Sequence, residues 1–391
     1  PMNRLVQGEV GSGKTVVAAA TAFIAYQNNL KTVVMAPTEI LAFQHFDTFT
    51  KLLKAYDIKV GLYTGSKKKV GEGDQIIIGT HALLSKKLEL NNVGLVIIDE
   101  QQRFGVEQRT ILRSRAKTPH FLTMTATPIP RTVALTLYGH LDLSIIDQLP
   151  VGRKIVRTYF VPNTRRDDSY KFIVKQVDQS FQVYVITPRI EESETNQSAK
   201  AAKVEFEKLK KIFPNFKLGL LHGKLKSKEK EQVINDFKDH KLDILVSTSV
   251  VEVGVDVPNA TVMVVEGAEK FGLAGLHQLR GRVGRGEAQS FAFLFAEEEN
   301  PRVISRLKSL EKIYDGLKLA ELDLKIRGSG ELFGTAQSGR WNLKIASLSD
   351  LPLIEQTREA ATKLLTQNPS LDKYPRIRAK LSGLAKEVMP D

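Results

Sequence analysis

Short hydrophobic runs alternate with helically spaced hydrophobic residues along the first 150 residues of the chain. Runs rich in β-branched residues predict strands at residues 31–36, 58–63, 75–79, 95–98 and 120–124. Apolar residues that recur at three- and four-residue spacing predict helices at residues 16–25 and 39–56. Strands that alternate with helices are typical of a parallel sheet with crossover helices, so we predict an α/β domain here.

The same pattern begins again after a break at residues 149–153, where proline and glycine mark a linker. Strands are predicted at residues 183–187, 217–221, 243–247, 261–266 and 291–295, and helices at residues 199–213 and 227–237. Beyond about residue 301 the strand pattern stops, and helices with glycine-containing turns follow. We therefore predict α/β domains at residues 1–150 and 151–305, and a helical region at residues 306–391.

A glycine-rich segment near the start of the chain carries the clearest chemical signal. Residues 8–15 fit the phosphate-binding pattern Gly-x4-Gly-Lys-Ser/Thr, between a short strand and a helix. The backbone N–H groups of such a loop, and the helix that follows, bind phosphate oxygens. Lys14 would neutralise the β- and γ-phosphates of ATP, and the Thr15 hydroxyl would bind Mg²⁺. The predicted ATP contacts are Gly8, Gly11, Ser12, Gly13, Lys14, Thr15 and Asp99.

Two acidic residues follow the strand predicted at residues 95–98. Asp99 is the expected Mg²⁺ carboxylate, and Glu100 can orient and deprotonate the attacking water. Alone, these residues would be two solvated acids, and the glycine loop could match its pattern by chance. Their occurrence together favours a site for ATP and its hydrolysis. Thr125 and Thr127 follow another predicted strand, where their hydroxyls could relay the phosphate state.

A segment of the second domain is rich in arginine and glycine. Residues 278–286 read Gln-Leu-Arg-Gly-Arg-Val-Gly-Arg-Gly, and three arginines spaced by glycines are poor material for a core. Such guanidinium groups suit a phosphate that faces them across a cleft, where they stabilise charge during phosphoryl transfer. We predict that Gln278, Arg282 and Arg285 join Glu100 in the catalytic site. A basic surface loop, or a loop for DNA phosphates, is the alternative.

The composition limits the classes of protein to consider. The 391-residue chain has a formal net charge of +13 at pH 7. This charge favours a polyanionic partner such as nucleic acid, and the alternative is a soluble basic protein without such a partner. It contains no cysteine, which excludes disulfides and fits a reducing cytoplasm. No apolar run approaches the ~20 residues that span a bilayer, so no membrane helix is expected. The phosphate loop begins as early as Gly8, so we expect a fragment that lacks an upstream part.

Taken in order, these motifs resemble superfamily 2 helicases and translocases. Within that superfamily the chain resembles the catalytic part of the RecG family of ATP-dependent DNA helicases. Further segments carry this resemblance over nearly the whole chain, at residues 36–42, 79–83, 103–106, 127–132, 254–260 and 271–273. The resemblance implies two RecA-like P-loop NTPase lobes, built from parallel sheets flanked by helices, plus a C-terminal helical extension. ATP and Mg²⁺ would lie between the lobes.

The resemblance also implies a partner, DNA, which such motors grip through its phosphates. Branched duplexes, forks and junctions are the implied substrates, in repair and recombination. The implied DNA contacts are Pro37, Thr38, Thr64, Gly65, Gly79, Thr80, His81, His222, Gly223, Thr248 and Ser249. A coupling role is implied for Gln102, Thr125, Thr127, Arg327 and Gln337, the last two in a translocation motif at residues 315–339. We further expect a cytoplasmic monomer whose junction-reading wedge domain lies upstream.

Two departures from the family pattern and two alternatives complete the picture. Gln102 stands where the family commonly has histidine, and Ala336 where it usually has arginine. Glutamine cannot ionise, so we expect hydrolysis to survive and coupling to DNA to be altered. One alternative is a duplex translocase of the transcription-repair coupling factor type, which polymerase binding would identify. The other is an ATP- and DNA-binding fragment without activity, which DNA-stimulated phosphate release would exclude.

Overall fold

The computed structural model describes residues 1–85, 88, 91–100, 119–130, 141–148, 154–188, 195–248, 257–327 and 350–388. Within these ranges strands and helices alternate in two α/β lobes, and each lobe has its own mainly parallel sheet. The fold class predicted from the hydrophobic pattern is therefore confirmed.

The first lobe contains eight described strands and two described helices. The strands are β1 (Asn3–Gly8), β2 (Lys31–Met35), β3 (Val60–Tyr63), β4 (Lys68–Lys69), β5 (Ile76–Gly79), β6 (Val93–Asp99), β7 (His120–Thr125) and β8 (Asp142–Ile146). The helices are α1 (Lys14–Gln27) and α2 (Glu39–Leu53). The strand order is β4-β3-β5-β2-β6-β7-β1-β8, and every neighbouring pair is parallel except β3 and β4. The carboxyl ends of these parallel strands meet at one edge, where α/β proteins bind their ligands.

The residues of this lobe explain its packing. β6 is almost entirely buried, as expected for a parallel strand that is covered on both faces. α1 buries four alanines, Ala18, Ala19, Ala22 and Ala25, whose small side chains let the helix lie close to the sheet. α2 ends three residues earlier than predicted, because residues 54–56 form a 3₁₀ turn before Asp57 at a φ of 55°. The sequence pattern missed β4, which consists of two exposed lysines, and β8, which is only partly buried.

The second lobe repeats this design with six described strands. They are β9 (Arg157–Phe160), β10 (Gln182–Thr187), β11 (Leu218–Leu221), β12 (Ile244–Thr248), β13 (Ala260–Val265) and β14 (Phe291–Leu294), in the order β11-β12-β10-β13-β14-β9. All neighbouring pairs are parallel. The helices are α3 (Arg166–Asp178), α4 (Thr195–Ile212), α5 (Ser227–Lys238) and α6 (Leu273–Arg280). Alternate residues of the central strands enter separate hydrophobic clusters on the two faces, such as Tyr184 on one and Val185 on the other.

The described residues beyond residue 300 are mainly helical. The helices are α7 (Pro301–Lys312), α8 (Gly316–Arg327), α9 (Leu351–Gln367) and α10 (Pro375–Val388). α8 begins directly after Asp315, whose carboxylate accepts the N–H groups of Leu317 and Lys318. One compact unit, Pro1–Pro128 with His140–Asp323, contains both sheets, and α9 and α10 belong to a second. None of the described helices is both long enough and apolar enough to cross a membrane.

Candidate active site

The phosphate loop lies between β1 and α1, at the carboxyl edge of the first sheet. Gly13 is the N-cap of α1 with a φ of 95°, a left-handed conformation that glycine adopts without strain. Among the described residues no side chain caps α1, so no side chain competes with an anion for this end of the helix. Gly8 is needed for another reason, because a Cβ there would lie 2.5 Å from Ser12 Oγ.

Lys14 is the first residue of α1 and folds back over the loop. Its Nζ donates to the carbonyl oxygens of Gly8 and Glu9, each at 2.8 Å. Burial lowers the pKa of Lys14 below the usual lysine value; the charge of Asp99 opposes this shift, and the charge of Arg282 adds to it. A carboxylate of the first lobe and a guanidinium of the second therefore both lie within electrostatic range of this lysine.

Asp99 ends β6 and is held by a histidine from α2. His45 Nε2 lies 2.8 Å from Asp99 Oδ2, and both residues are buried. Burial alone would raise the pKa of Asp99, but the hydrogen bond with His45, together with the charge of Lys14, keeps that pKa below its usual value. The structure thus keeps a buried, ionised carboxylate beside the phosphate-loop lysine.

Glu100 begins a chain of hydrogen bonds that crosses from one lobe to the other. Its carboxylate accepts the Thr125 hydroxyl at 3.3 Å and the Ala126 N–H at 3.4 Å. Thr125 Oγ1 accepts the Thr127 N–H at 3.0 Å, and Thr127 Oγ1 accepts Gln278 Nε2 at 2.7 Å. The structure therefore joins four residues that were candidates from the sequence, with Ala126 as an added contact.

The arginine segment of the second lobe is more deeply buried than expected. Arg280 and Arg282 are 5% and 7% exposed, so the expectation that these arginines are unsuited to a core is wrong. Arg280 is tolerated because it donates to the carbonyl oxygens of Leu310, Ile313 and Tyr314, at 2.9–3.2 Å. Burial lowers the pKa of Arg280 to about 10. Arg282 is the guanidinium within range of Lys14, and Arg285 is half-buried in the same segment.

A second contact between the lobes involves the phosphate loop itself. Glu9 Oε2 lies 2.5 Å from His277 Nε2, and Glu9 Oε1 accepts the Gly316 N–H at 3.2 Å. Neither Glu9 nor His277 was a candidate in the sequence analysis. Glu9 stands at a variable position of the loop pattern, and His277 directly precedes the predicted segment.

Several predicted DNA contacts line one cleft of about 560 Å³ between the lobes. Its walls include Pro37, Thr38, Gly65, Thr80 and His81 from the first lobe, and Lys230 and Glu231 from the second. Lys230 Nζ donates to the Gly223 carbonyl at 2.8 Å, which places the predicted contact Gly223 beside the cleft. Both lobes therefore present polar groups to the same space.

Thr80 in the cleft wall is 2% exposed, and three other predicted DNA contacts also have buried side chains. Thr64, His222 and Thr248 are 0%, 5% and 4% exposed. The Thr64 hydroxyl is used within its own turn, where it donates to the Lys67 carbonyl and accepts the Lys67 N–H. Gly79 leaves no room for a side chain, since a Cβ would lie 2.0 Å from the Tyr63 carbonyl oxygen. These residues shape the backbone beside the cleft, and their contact with DNA stays a prediction.

Some predicted residues lie where the structure says little or nothing. Gln102, Ser249, Gln337 and Ala336 fall outside the described residues. Arg327 ends α8, and its side chain is not described. Lys67, Lys68 and Lys69, close to Gly65, are exposed, and each ammonium group lies 5.3–5.7 Å from the centroid of an aromatic ring.

Models of three known protein domains match different parts of the chain. The DEAD/DEAH box helicase model matches residues 2–136, and the helicase conserved C-terminal domain matches residues 166–287. The model for ATP-dependent DNA helicase RecG, domain 3, C-terminal, matches residues 313–387. ATP-dependent DNA helicase RecG of Synechocystis sp. is 47% identical over 97% of this chain, and that of Aquifex aeolicus 48% identical over 95%. The chain belongs to the RecG helicase family.

Solved structures extend the comparison. A RecG bound to a three-way DNA junction superposes on 91% of this RecG-family chain with a TM-score of 0.73 and 42% identity, and 48% of that RecG is covered. S. cerevisiae Dbp5, bound to RNA and ADP BeF₃, matches 83% of the chain with a TM-score of 0.62 and 18% identity, with 89% of Dbp5 covered. That second likeness shows the fold alone. The chain spans about half the length of its RecG relatives, 47% and 49% of the two named above.

Two of the buried histidines of this RecG-family chain, His45 and His277, were not predicted from the sequence, although they left a signal. His45 is four residues from both Leu41 and Phe49, so it lies on the buried face of the α2 pattern. A histidine on a buried helix face needs a polar partner, and that requirement could have directed attention to it. His277 likewise lies on the buried face of α6, four residues after Leu273, but that helix was not predicted from the sequence. Its partner Glu9 lies 268 residues away in the sequence.

Proposed function

We propose that this chain is the ATP-hydrolysing motor of a helicase that translocates on branched DNA, in fork reversal and junction branch migration. The observation that carries the proposal is the meeting of both lobes at one site. The charges of Asp99 and Arg282, from different lobes, both act on Lys14. Hydrogen bonds join Glu100 to Gln278 through Thr125 and Thr127. A nucleotide bound there would contact both lobes, so its hydrolysis could change their relative position.

ATP is proposed to bind the phosphate loop through Gly8, Gly11, Ser12, Gly13, Lys14 and Thr15. Lys14 already donates two hydrogen bonds in this loop, and phosphate oxygens could replace the two carbonyl acceptors. The chain belongs to a family of ATP-dependent helicases, which supports ATP as its nucleotide.

Mg²⁺ fits the donor set that the structure presents. The Thr15 hydroxyl and the Asp99 carboxylate are hard oxygen donors, and the environment of Asp99 keeps it ionised. When bound, the ion would neutralise charge on the β- and γ-phosphates. His45 fixes the orientation of the Asp99 carboxylate, as outer partners of metal-bound carboxylates do.

Glu100 is proposed to orient the attacking water and accept its proton. Its hydrogen bonds to Thr125 and Ala126 fix the carboxylate in place. Gln278, Arg282 and Arg285 would stabilise the charge that develops on the transferred phosphoryl group. Because these three side chains come from the second lobe, catalysis would depend on how the lobes are closed.

DNA is proposed to bind along the cleft that both lobes line. The supporting observations are the hydroxyl and backbone groups at Pro37, Thr38, Thr80 and His81, and the net charge of +13. A related RecG has been solved on a three-way junction, which supports branched DNA as the substrate class. Thr125 and Thr127, and by the family pattern Gln102, Arg327 and Gln337, would couple this binding to hydrolysis.

The domain limits at residues 1–150, 151–305 and 306–391 are part of the same proposal, and each RecA-like lobe then contains one of the two sheets. The motor is proposed to act as a monomer, because both walls of its site come from one chain. Acting on chromosomal DNA would place it in the bacterial cytoplasm.

ATP turnover with and without a synthetic forked duplex tests this proposal. We expect turnover that rises with the fork, and a Glu100→Gln variant that binds ATP but loses at least ~100-fold in turnover. Glu298→Gln, a matched change at an exposed position, should leave turnover unchanged. Equal turnover in Glu100→Gln and wild type would refute the assigned base. Nucleotide binding without any turnover would identify the chain as a binding module only.

A further inference from the structure

The phosphate loop holds a carboxylate that ATP chemistry does not require. Glu9 follows the first glycine of the loop, and its side chain leaves the ATP site for the second lobe. There it meets His277 Nε2 at 2.5 Å and the Gly316 N–H at 3.2 Å. One side chain thus joins the phosphate loop, the end of α6 and the start of α8.

The partners of Glu9 are fixed in place by Arg280. Arg280 Nη2 donates to His277 Nδ1 at 2.7 Å, so Nδ1 is the acceptor nitrogen of that ring. Nε2 then carries the hydrogen and donates it to Glu9. Other N–H groups of Arg280 donate to carbonyls at the end of α7 and in the turn before α8. The contact is therefore built on both sides.

The electrostatics of Glu9 agree with this geometry. Burial alone would raise the pKa of the Glu9 carboxyl, but the His277 hydrogen bond, the Gly316 N–H and the charge of Arg280 together hold it below its usual value. The groups that face Glu9 therefore stabilise its charged form. A second link joins Glu9 to the site, because its carbonyl oxygen accepts Lys14 Nζ.

We propose that Glu9 is a positioning residue that ties the phosphate loop to the arginine segment and to the first turn of α8. Displacement of Lys14 from the Glu9 carbonyl by phosphate would shift the loop, and the side chain would pass this shift to Gly316. The helix that leads into the C-terminal region would then respond directly to the occupancy of the ATP site. This inference rests on the proposed function and adds a route by which the nucleotide acts on α8.

Substitutions on the two sides of the contact test it. Glu9→Gln and Glu9→Ala weaken or remove the acceptor. Gly316→Ala disrupts the contact from α8, because its Cβ would lie 2.7 Å from both Glu9 Oε1 and His277 Nε2. Gly275→Ala is the matched control, since a Cβ there has no atom within 4 Å. Glu72→Gln, in an exposed loop of the first lobe, controls for the charge.

Two readouts separate positioning from simple stability. In steady-state ATP hydrolysis, Glu9→Ala and Gly316→Ala should lower kcat about ten-fold while KM stays within about two-fold, because the contact aligns groups that act in the transition state. Glu9→Gln, which retains one acceptor oxygen, should recover part of kcat. In hydrogen exchange, loss of the acceptor should raise the rate of the Gly316 amide about ten-fold. In wild type that rate should also change when a non-hydrolysable ATP analogue binds.

The proposal is overturned if kcat is unchanged in both Glu9→Ala and Gly316→Ala. It is also overturned if the exchange rate of the Gly316 amide in wild type does not change when the ATP analogue binds. Should one variant fail to fold, the variant on the other side of the contact gives the same information. A wild-type chain without ATP turnover would defeat the proposed function only, because the exchange response requires nucleotide binding but no hydrolysis.

Discussion

Replacement of His45 by alanine is expected to destabilise the first lobe and to loosen the carboxylate proposed for Mg²⁺. His45 and Asp99 are 6% and 8% exposed, and 2.8 Å separates their bonded atoms. A hydrogen bond to a charged group contributes about 1.5–3 kcal/mol, and the cavity left beside Phe49 adds roughly 1 kcal/mol. We therefore expect a loss of about 2.5–4 kcal/mol in the free energy of unfolding.

Urea unfolding without nucleotide measures this loss. A double-mutant cycle of His45→Ala with Asp99→Asn separates the pair from the cavity, and should give a coupling energy of about 1.5–3 kcal/mol. His120→Ala is the control, because the His120 residue is exposed and its ring, among the described side-chain hydrogen bonds, accepts only the Met2 N–H. This variant should lose about 0.5 kcal/mol in the free energy of unfolding. A coupling energy below about 0.5 kcal/mol would show that His45 does not hold Asp99. If it does hold Asp99, Mg²⁺-dependent nucleotide affinity should fall about 10–100-fold in His45→Ala.

Two further predictions concern the same site. Lys14→Met should abolish nucleotide binding yet stabilise the nucleotide-free fold at pH 7, because burial holds the folded-state pKa of Lys14 below 10.5 and the charged lysine costs stability there. This cost disappears as pH rises from the lowered pKa of Lys14 towards 10.5, because the lysine then becomes neutral in both the folded and the unfolded state. The Tm difference between Lys14→Met and wild type should therefore shrink over that range. A Tm difference that does not vary with pH would contradict the lowered pKa of Lys14. Thr127→Val and Gln278→Leu both remove the 2.7 Å hydrogen bond between the lobes, so each should lower kcat about ten-fold. The double variant should have the same kcat as either single variant. If the two losses in kcat multiply in the double variant, the two side chains act separately.

The sequence determined most of the fold, because the spacing of hydrophobic residues within short segments decides which segments form strands and which form helices. The hydrophobic runs of β2, β5, β6 and β7 and the helical spacing in α2 follow from contiguous residues, and the structure places these elements within a few residues of the prediction. The phosphate loop could also be recognised, since its chemistry requires glycines and a lysine at adjacent positions. Strands with little hydrophobic signal, such as β4 with its two exposed lysines, could not be found in this way.

Only the tertiary structure decided which of the predicted residues meet. The bonds from His45 to Asp99, from Gln278 to Thr127 and from His277 to Glu9 join residues 54, 151 and 268 positions apart. No local pattern encodes such pairs, because they depend on how crossover helices pack on each sheet and on how the two lobes face each other. The burial of Arg280 has the same origin: an arginine becomes core material once backbone carbonyls from a distant turn are placed around its guanidinium.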